Sequence, residues 1–342
     1  MKTLFKSLLA YVLPLGIGVL LFWYVVIRQV SLEELLSIFR EAKPGWIAAS
    51  FFFGLLSHWA RAYRWKYLLE PLGYRVSGFR AFIAVMVGYF ANLLVPRMGE
   101  LARCGVLQKA EGVPAQSALG TVVSERIIDV IILFSLVVSI SIIEFEHLGK
   151  LVLGVVGAKL QGLAQSGITF YLIVGAILCL GAAFAFYLYR RREQLLQKPL
   201  AKKIWIFLQD IAQGVKSIRH VRQKGAFVGF TALIWLMYYV MAYVLFFCFP
   251  ETSQLGLMAG MSILIMGGIG MAAPVQGGIG TYHILVSQTL LAYGIAQSQG
   301  IAFAAFMHAM QTAVIVIFGG LTFLISIFLK KKESGSRSVL SV

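Results

Sequence analysis

Two stretches hold most of the side chains that could do chemistry in this chain, and each is tied to a proline or glycine break. The first contains Asn92, Pro96, Arg97, Gly99, Glu100 and Arg103, followed by Glu125, Arg126 and Asp129. The second contains Pro274, Gln276, Gly277, Gly278, Gly280 and His283, followed by His308 and Gln311. Both lie in apolar surroundings, where charges and broken backbone persist mainly if they line a cavity or a pathway. A guanidinium fits phosphate oxygens bidentately, so Arg97 or Arg103 suits an anionic headgroup. Glu100 and Arg103 stand three apart and can pair on a helix.

Glu125 and Asp129 share a helix face, with Arg126 three residues before Asp129. Two readings are open for these three. They form a buried ion pair with Arg97 or Arg103 that ties their helix to the break, or a network that rearranges as substrate passes or carries a proton. The run from Pro274 to Gly280 lacks the lysine of a nucleotide-binding loop. It reads as an unwound segment leading into a helix whose N-terminus favours an anion, or as a site of close helix packing. His283 and His308 suit a proton relay; the plainer alternative is a buried histidine bonded to a backbone carbonyl. His58 reads as structural. Cys104, Cys179 and Cys248 lack metal or disulfide spacing, and no nucleophile–base constellation stands out. No catalytic residue, cofactor or metal is expected.

The elements that position these residues must be membrane helices. The 342 residues are 59% hydrophobic and 13% charged, against about 45–50% and about 25% in soluble domains. The net charge of +16 suits cytoplasmic loops meeting anionic lipid rather than nucleic acid. The N-terminal apolar run, about twenty residues long, reads as a retained spanning helix rather than a cleaved signal. Aromatics such as Trp59, Tyr63 and Trp65 read as interfacial anchors.

Apolar segments lie near 8–27, 45–60, 79–95, 119–143, 168–189, 226–249, 256–273, 281–295 and 300–329. Lys and Arg at 61–80 (including Arg61 and Arg64), 190–224 and Lys330–Lys332 place those segments in the cytoplasm;. Segments 144–167 and 250–255 are external by the same rule. Parity then requires 79–95 and 97–112 to form a re-entrant pair, with 256–295 its counterpart from the other side or two full crossings. The expectation is an all-α polytopic membrane protein of about six spanning helices and two re-entrant pairs, arranged as an inverted-topology repeat. A single membrane domain covers 1–330, with pseudo-repeats at about 8–143 and 168–329, and a short polar tail at 331–342. Both termini are cytoplasmic. Within 190–224, Ile204, Trp205, Phe207, Leu208, Ile211, Val215 and Ile218 are spaced as an amphipathic surface helix;.

The ordered set Asn92, Pro96, Gly99, Glu100 and Arg103, then Glu125, Arg126 and Asp129, then Pro274, Gly277, Gly278 and Gly280 resembles the flippase-like membrane domain of lysylphosphatidylglycerol synthases. The resemblance covers about residues 10 to 330. Those synthases carry a soluble aminoacyl-transferase domain after the membrane region, and none precedes the end at Val342. The resemblance therefore implies translocation of an anionic membrane lipid or lipid-linked envelope intermediate, without enzymatic activity, in the cell membrane. Asn92, Arg97, Glu100, Arg103, Glu125, Arg126, Asp129, Gln276, His283 and His308 would line its headgroup cavity. The competing class is an accessory or enzymatic subunit of envelope lipid or glycolipid synthesis, with envelope-biosynthesis proteins as partners.

Overall fold

The computed structural model describes residues 23–28, 30–95, 98–144, 216–273 and 275–329, with Leu20 and Gln209. Pro96, Arg97, Pro274, the segment 168–189, most of the surface helix expected within 190–224 and the tail 331–342 lie outside the described residues; the end of that expected helix is described, and there Ile218 sits in the short turn Ser217–His220 and packs against buried core residues. So does most of segment 8–27.

The protein is an all-α membrane protein. Its helices are α1 (Leu32–Glu41), α2 (Pro44–Leu69), α3 (Gly78–Leu94), α4 (Gly99–Glu111), α5 (Ala115–Ile143), α6 (Lys224–Tyr243), α7 (Leu257–Ala272), α8 (Thr281–Ala292), α9 (Gln297–Val314) and α10 (Gly320–Phe328). A single widened turn, Ile315–Gly319, joins α9 to α10 without a break in direction of the chain. Among the described residues, three helical stretches are long and apolar enough to span a membrane: Ala115–Ile143, Lys224–Cys248 and Gln297–Phe328.

The element order repeats. A long helix (α2 or α6) is followed by a short apolar helix (α3 or α7), a glycine-containing break, a shorter helix (α4 or α8) and a long final helix (α5 or α9–α10). The 13 residues of α4 and the 12 of α8 extend only about 18–20 Å at 1.5 Å per residue. A hydrocarbon core is about 30 Å thick. Both helices are shorter than that thickness, and α3–α4 and α7–α8 each pack as a helical hairpin, the arrangement that the re-entrant reading expects.

Packing between the halves is reciprocal. Hairpin helix α3 packs on α10 and the widened turn, while α7 packs on α5. Each hairpin therefore leans on the final helix of the other half, and α2 lies along α6 at the centre. Glycine allows the closest approaches: a Cβ on Gly319 would come 2.9 Å from Phe90 Cβ. At the first hairpin, Gly88 and Gly99 face each other so closely that a Cβ on either would strike the other's carbonyl oxygen.

Two expectations about element limits are corrected. Segment 45–60 continues as helix to Leu69, so Arg61 and Arg64 are helical and buried, not loop charges. Helix propensity and the apolar face of Trp65, Leu68 and Leu69 carry the helix past the charges, which find partners elsewhere. Trp65 is likewise fully buried rather than an interfacial anchor. Helix α1, which the segment reading does not contain, packs through Ile38 and through Phe39 against Phe306, with ring centroids 5.4 Å apart.

Candidate functional site: a buried charge network and two glycine breaks

The charge network forms where α2, α4, α5 and α6 meet. Asp129 lies fourteen residues into α5, about 21 Å from its start, and therefore near the middle of a spanning helix. Arg61 Nη1 donates to Asp129 Oδ2 at 2.8 Å, and Arg64 Nη2 donates to Asp129 Oδ1 at 2.9 Å. Arg64 Nη2 also reaches Glu125 Oε1 at 3.5 Å, and the second Glu125 oxygen accepts from Arg103. The Arg103 guanidinium lies 4.3 Å over the Trp65 ring, whose Nε1–H donates to Thr121 Oγ1 at 2.8 Å. Arg61 donates from Nε and Nη2 to Tyr238 Oη at 3.3 and 3.1 Å, and Tyr238 Oη lies 3.4 Å from Tyr89 Oη. The His58 ring packs at a tilt against Tyr89, with centroids 4.5 Å apart.

Inside this network three guanidiniums (Arg61, Arg64, Arg103) meet two carboxylates (Glu125, Asp129). Arg64 is fully buried, Glu125 is 1% exposed and Arg103 is 4% exposed. Arg64 Nε and Nη1 and Arg103 Nε have no hydrogen-bond partner among the described residues. Among the described residues the network thus holds three cations against two anions, and burying ions is expensive unless they are paired and hydrogen-bonded.

An outer pair stands beside it. Arg126 Nη2 donates to Glu100 Oε1 at 3.0 Å, with 45% and 28% of the two side chains exposed. This pair borders a groove of about 370 Å³ along α5, lined by Val122, Val123, Ile127 and Val130. A gap of only about 10 Å³ is bordered by Arg126, Glu100, Arg103 and Asn92. Of the residues expected to line a headgroup cavity, Arg103 and Glu125 lie in a buried inner network, while Glu100 and Arg126 form an outer pair beside a groove. Glu100 pairs with Arg126 rather than with Arg103, three residues on, and Arg103 pairs with Glu125, the buried ion pair between the α5 helix and the break that the sequence offered as one reading.

The two breaks lie alongside. At the first, Asn92 Oδ1 accepts the Gly99 N–H at 2.6 Å and closes the hairpin turn. At the second, Gly277, Gly278 and Gly280 all have positive φ, of 59°, 70° and 86°, a region that side-chain-bearing residues avoid. His283 Nδ1 accepts the Gly280 N–H at 3.1 Å and His308 Nε2 lies 2.9 Å from the Gly277 carbonyl oxygen. The plainer reading of His308, a buried histidine on a backbone carbonyl, is the one observed. The start of α8 is occupied by its own histidine. Gln276 Nε2 donates to the Leu93 carbonyl at 2.7 Å, so the breaks of the two halves touch.

Glu100, Arg103, Glu125, Arg126 and Asp129 are thus brought together, whereas Gln276, His283 and His308 surround the second break. Sequence reasoning missed Arg61, Arg64, Tyr89 and Tyr238 as members of the network. The available signal was the i, i+3 arginine pair flanked by Trp59 and Trp65 on a run that keeps its apolar periodicity.

Residues 11–319 match the family described as lysylphosphatidylglycerol synthase TM region. The chain is 30% identical over 112 residues to a UPF0104 membrane protein of Methanocaldococcus jannaschii, covering 32% of this chain and 33% of that protein. It is 24% identical over 311 residues to the glycosyltransferase AglD of Haloferax volcanii, covering 84% of this chain and 50% of that protein. The chain therefore spans half or less of the curated relatives it matches. No solved structure matches. With the family match covering nearly the whole chain, and helices α1 to α9 and both breaks lying within it, this protein belongs to the lysylphosphatidylglycerol synthase transmembrane-region family.

Proposed function

We propose that the protein moves an anionic membrane lipid, or a lipid-linked envelope intermediate, across the cell membrane. The observation that carries this reading is the excess of buried cation among the described residues: three guanidiniums against two carboxylates, with donors on Arg64 and Arg103 left over. A phosphate headgroup supplies the missing negative charge and acceptor oxygens that match a guanidinium. The groove along α5 gives the lipid tails a lateral path. Parting of Arg126 from Glu100 admits the headgroup to the gap bordered by Arg103. Two hairpins, each leaning on the other half's final helix, then expose the network to one face and the other by a rocking motion. In this reading the protein is not an enzyme and uses no cofactor. The basic segments and both termini face the cytoplasm.

The test is a headgroup-accessibility assay in proteoliposomes holding fluorescent anionic lipids, comparing wild type with Arg126→Gln and Glu100→Gln. These half-exposed positions are chosen because they can be changed without collapsing the inner network. Translocation by wild type and at least a tenfold loss in Arg126→Gln is the expected result.

A second reading draws on the glycosyltransferase AglD, which aligns over most of this chain. In it, the protein is a non-transporting subunit of glycolipid synthesis that holds a lipid phosphate in the same network. No translocation across several headgroups, together with saturable lipid-phosphate binding, would favour it.

A further inference from the structure

We propose that Lys109 and Tyr293 are paired clasps, one at each membrane face, that hold the two hairpins against the final helices and open one at a time. Lys109, in the last turn of α4, donates from its ammonium to the Ser326 and Ile327 carbonyl oxygens of α10 at 3.2 and 2.9 Å. Carbonyls in the last turn of a helix lack partners within it, and a cation beside them is favoured. Tyr293, which ends α8, donates its hydroxyl to Glu144 Oε2 at 3.3 Å. Glu144 ends α5, where a negative charge meets the negative end of the helix dipole and a donor offsets the repulsion.

The two clasps occupy the same place in the two halves, with different chemistry. Each runs from the end of a hairpin's second helix to the end of the other half's final helix. Each is also tied to its own hairpin's first helix. Arg80 of α3 donates to the Ala110 carbonyl, beside Lys109, at 2.5 Å, and the Ser262 hydroxyl of α7 lies 2.9 Å from Tyr293 Oη. Helix α5 separates the clasps, beginning just past Lys109 and ending at Glu144. Its 29 residues extend about 43 Å, against about 30 Å for a hydrocarbon core, so the clasps stand at opposite faces. Asp129 and the charge network lie between them. Lys109 is exposed and Tyr293 half-buried, so water can replace either bond at little cost. Opening both together would expose the network to both faces at once, so cargo transfer needs them to open in turn. That last step rests on the transport reading above, whereas the clasps themselves do not.

The experiment is hydrogen–deuterium exchange in nanodiscs, comparing wild type with Lys109→Met and Tyr293→Phe. Each variant keeps most of the side chain and removes only its polar end, so neither empties a packed site. Lys109→Met is expected to raise exchange at the end of α4 (105–112) about fivefold, the weight of one hydrogen bond, without raising it at the end of α8 (287–294). Tyr293→Phe is expected to do the reverse. A variant that leaves its own end unchanged overturns the proposal, because the contact then holds nothing. A variant that raises both ends together overturns it as well, by showing general loosening in place of two independent clasps. No lipid enters this measurement. Clasps that behave as expected in a protein that moves no lipid in proteoliposomes would therefore count against the transport reading alone.

Discussion

Gln276 donates its side-chain amide to the backbone carbonyl of Leu93 across 2.7 Å, and this one bond joins the glycine breaks of the two halves. Leu93 is the penultimate residue of α3, where helix carbonyls lack intrahelical partners. Gln276 is 9% exposed, so the bond is made away from water. Gln276→Leu is expected to leave the Leu93 carbonyl unsatisfied and to destabilise the protein by about 1–3 kcal/mol. Thermal unfolding of the purified protein in detergent measures it.

The inner and outer charges should behave differently on substitution. Glu125 sits between Arg64 and Arg103 at 1% exposure, and removing one partner of a buried ion pair costs about 3–5 kcal/mol. Glu125→Gln is expected in that range. Arg126→Gln, at a half-exposed pair, is expected to cost no more than about 1 kcal/mol. Unfolding of both variants under one condition separates them; equal effects would contradict the division into a sealed network and an open pair.

The first hairpin offers a paired glycine test. Gly99→Ala places a methyl group against the Gly88 carbonyl and the Asn92 side chain, and overpacking of this kind costs about 1–3 kcal/mol. Gly105, on the same helix, has nothing within 4 Å of an added Cβ. Gly105→Ala should therefore stabilise by up to about 1 kcal/mol through helix propensity alone. Opposite signs in the two melting temperatures are the expected outcome.

Topology is testable by single-cysteine labelling in intact cells with impermeant reagents. Cys104 and Cys248 are buried, so background labelling from them should be slow. A cysteine at Arg75 or Arg222 is expected to label only after the membrane is opened, and one at Gln254 from outside. Labelling of Arg75 from outside would reverse the orientation.

Much of this protein is legible along the chain. Hydrocarbon accepts only backbone that is satisfied internally, so long apolar runs had to be helices, and parity made the short one beside Pro96–Gly99 turn back while leaving the one beside Pro274–Gly280 open. That logic located α3, α5, α6 and α7 and the first hairpin, because each depends on composition over neighbouring residues. It also marked Glu100, Arg103, Glu125, Arg126 and Asp129, since charge within apolar sequence is conspicuous without any knowledge of contacts. Partner choice was legible only in part: the buried pair of Glu125 with Arg103 was one of the two readings, and the rest was not. Glu100 and Arg103 satisfy helical spacing, yet each bonds to α5 instead. Arg61 and Arg64 looked like loop charges until α2 continued through them and Asp129 lay opposite. Spacing along one helix fixes only which side chains share a face; which face meets which is set by the packing of α2 against α5 and α6, and that belongs to the tertiary structure alone.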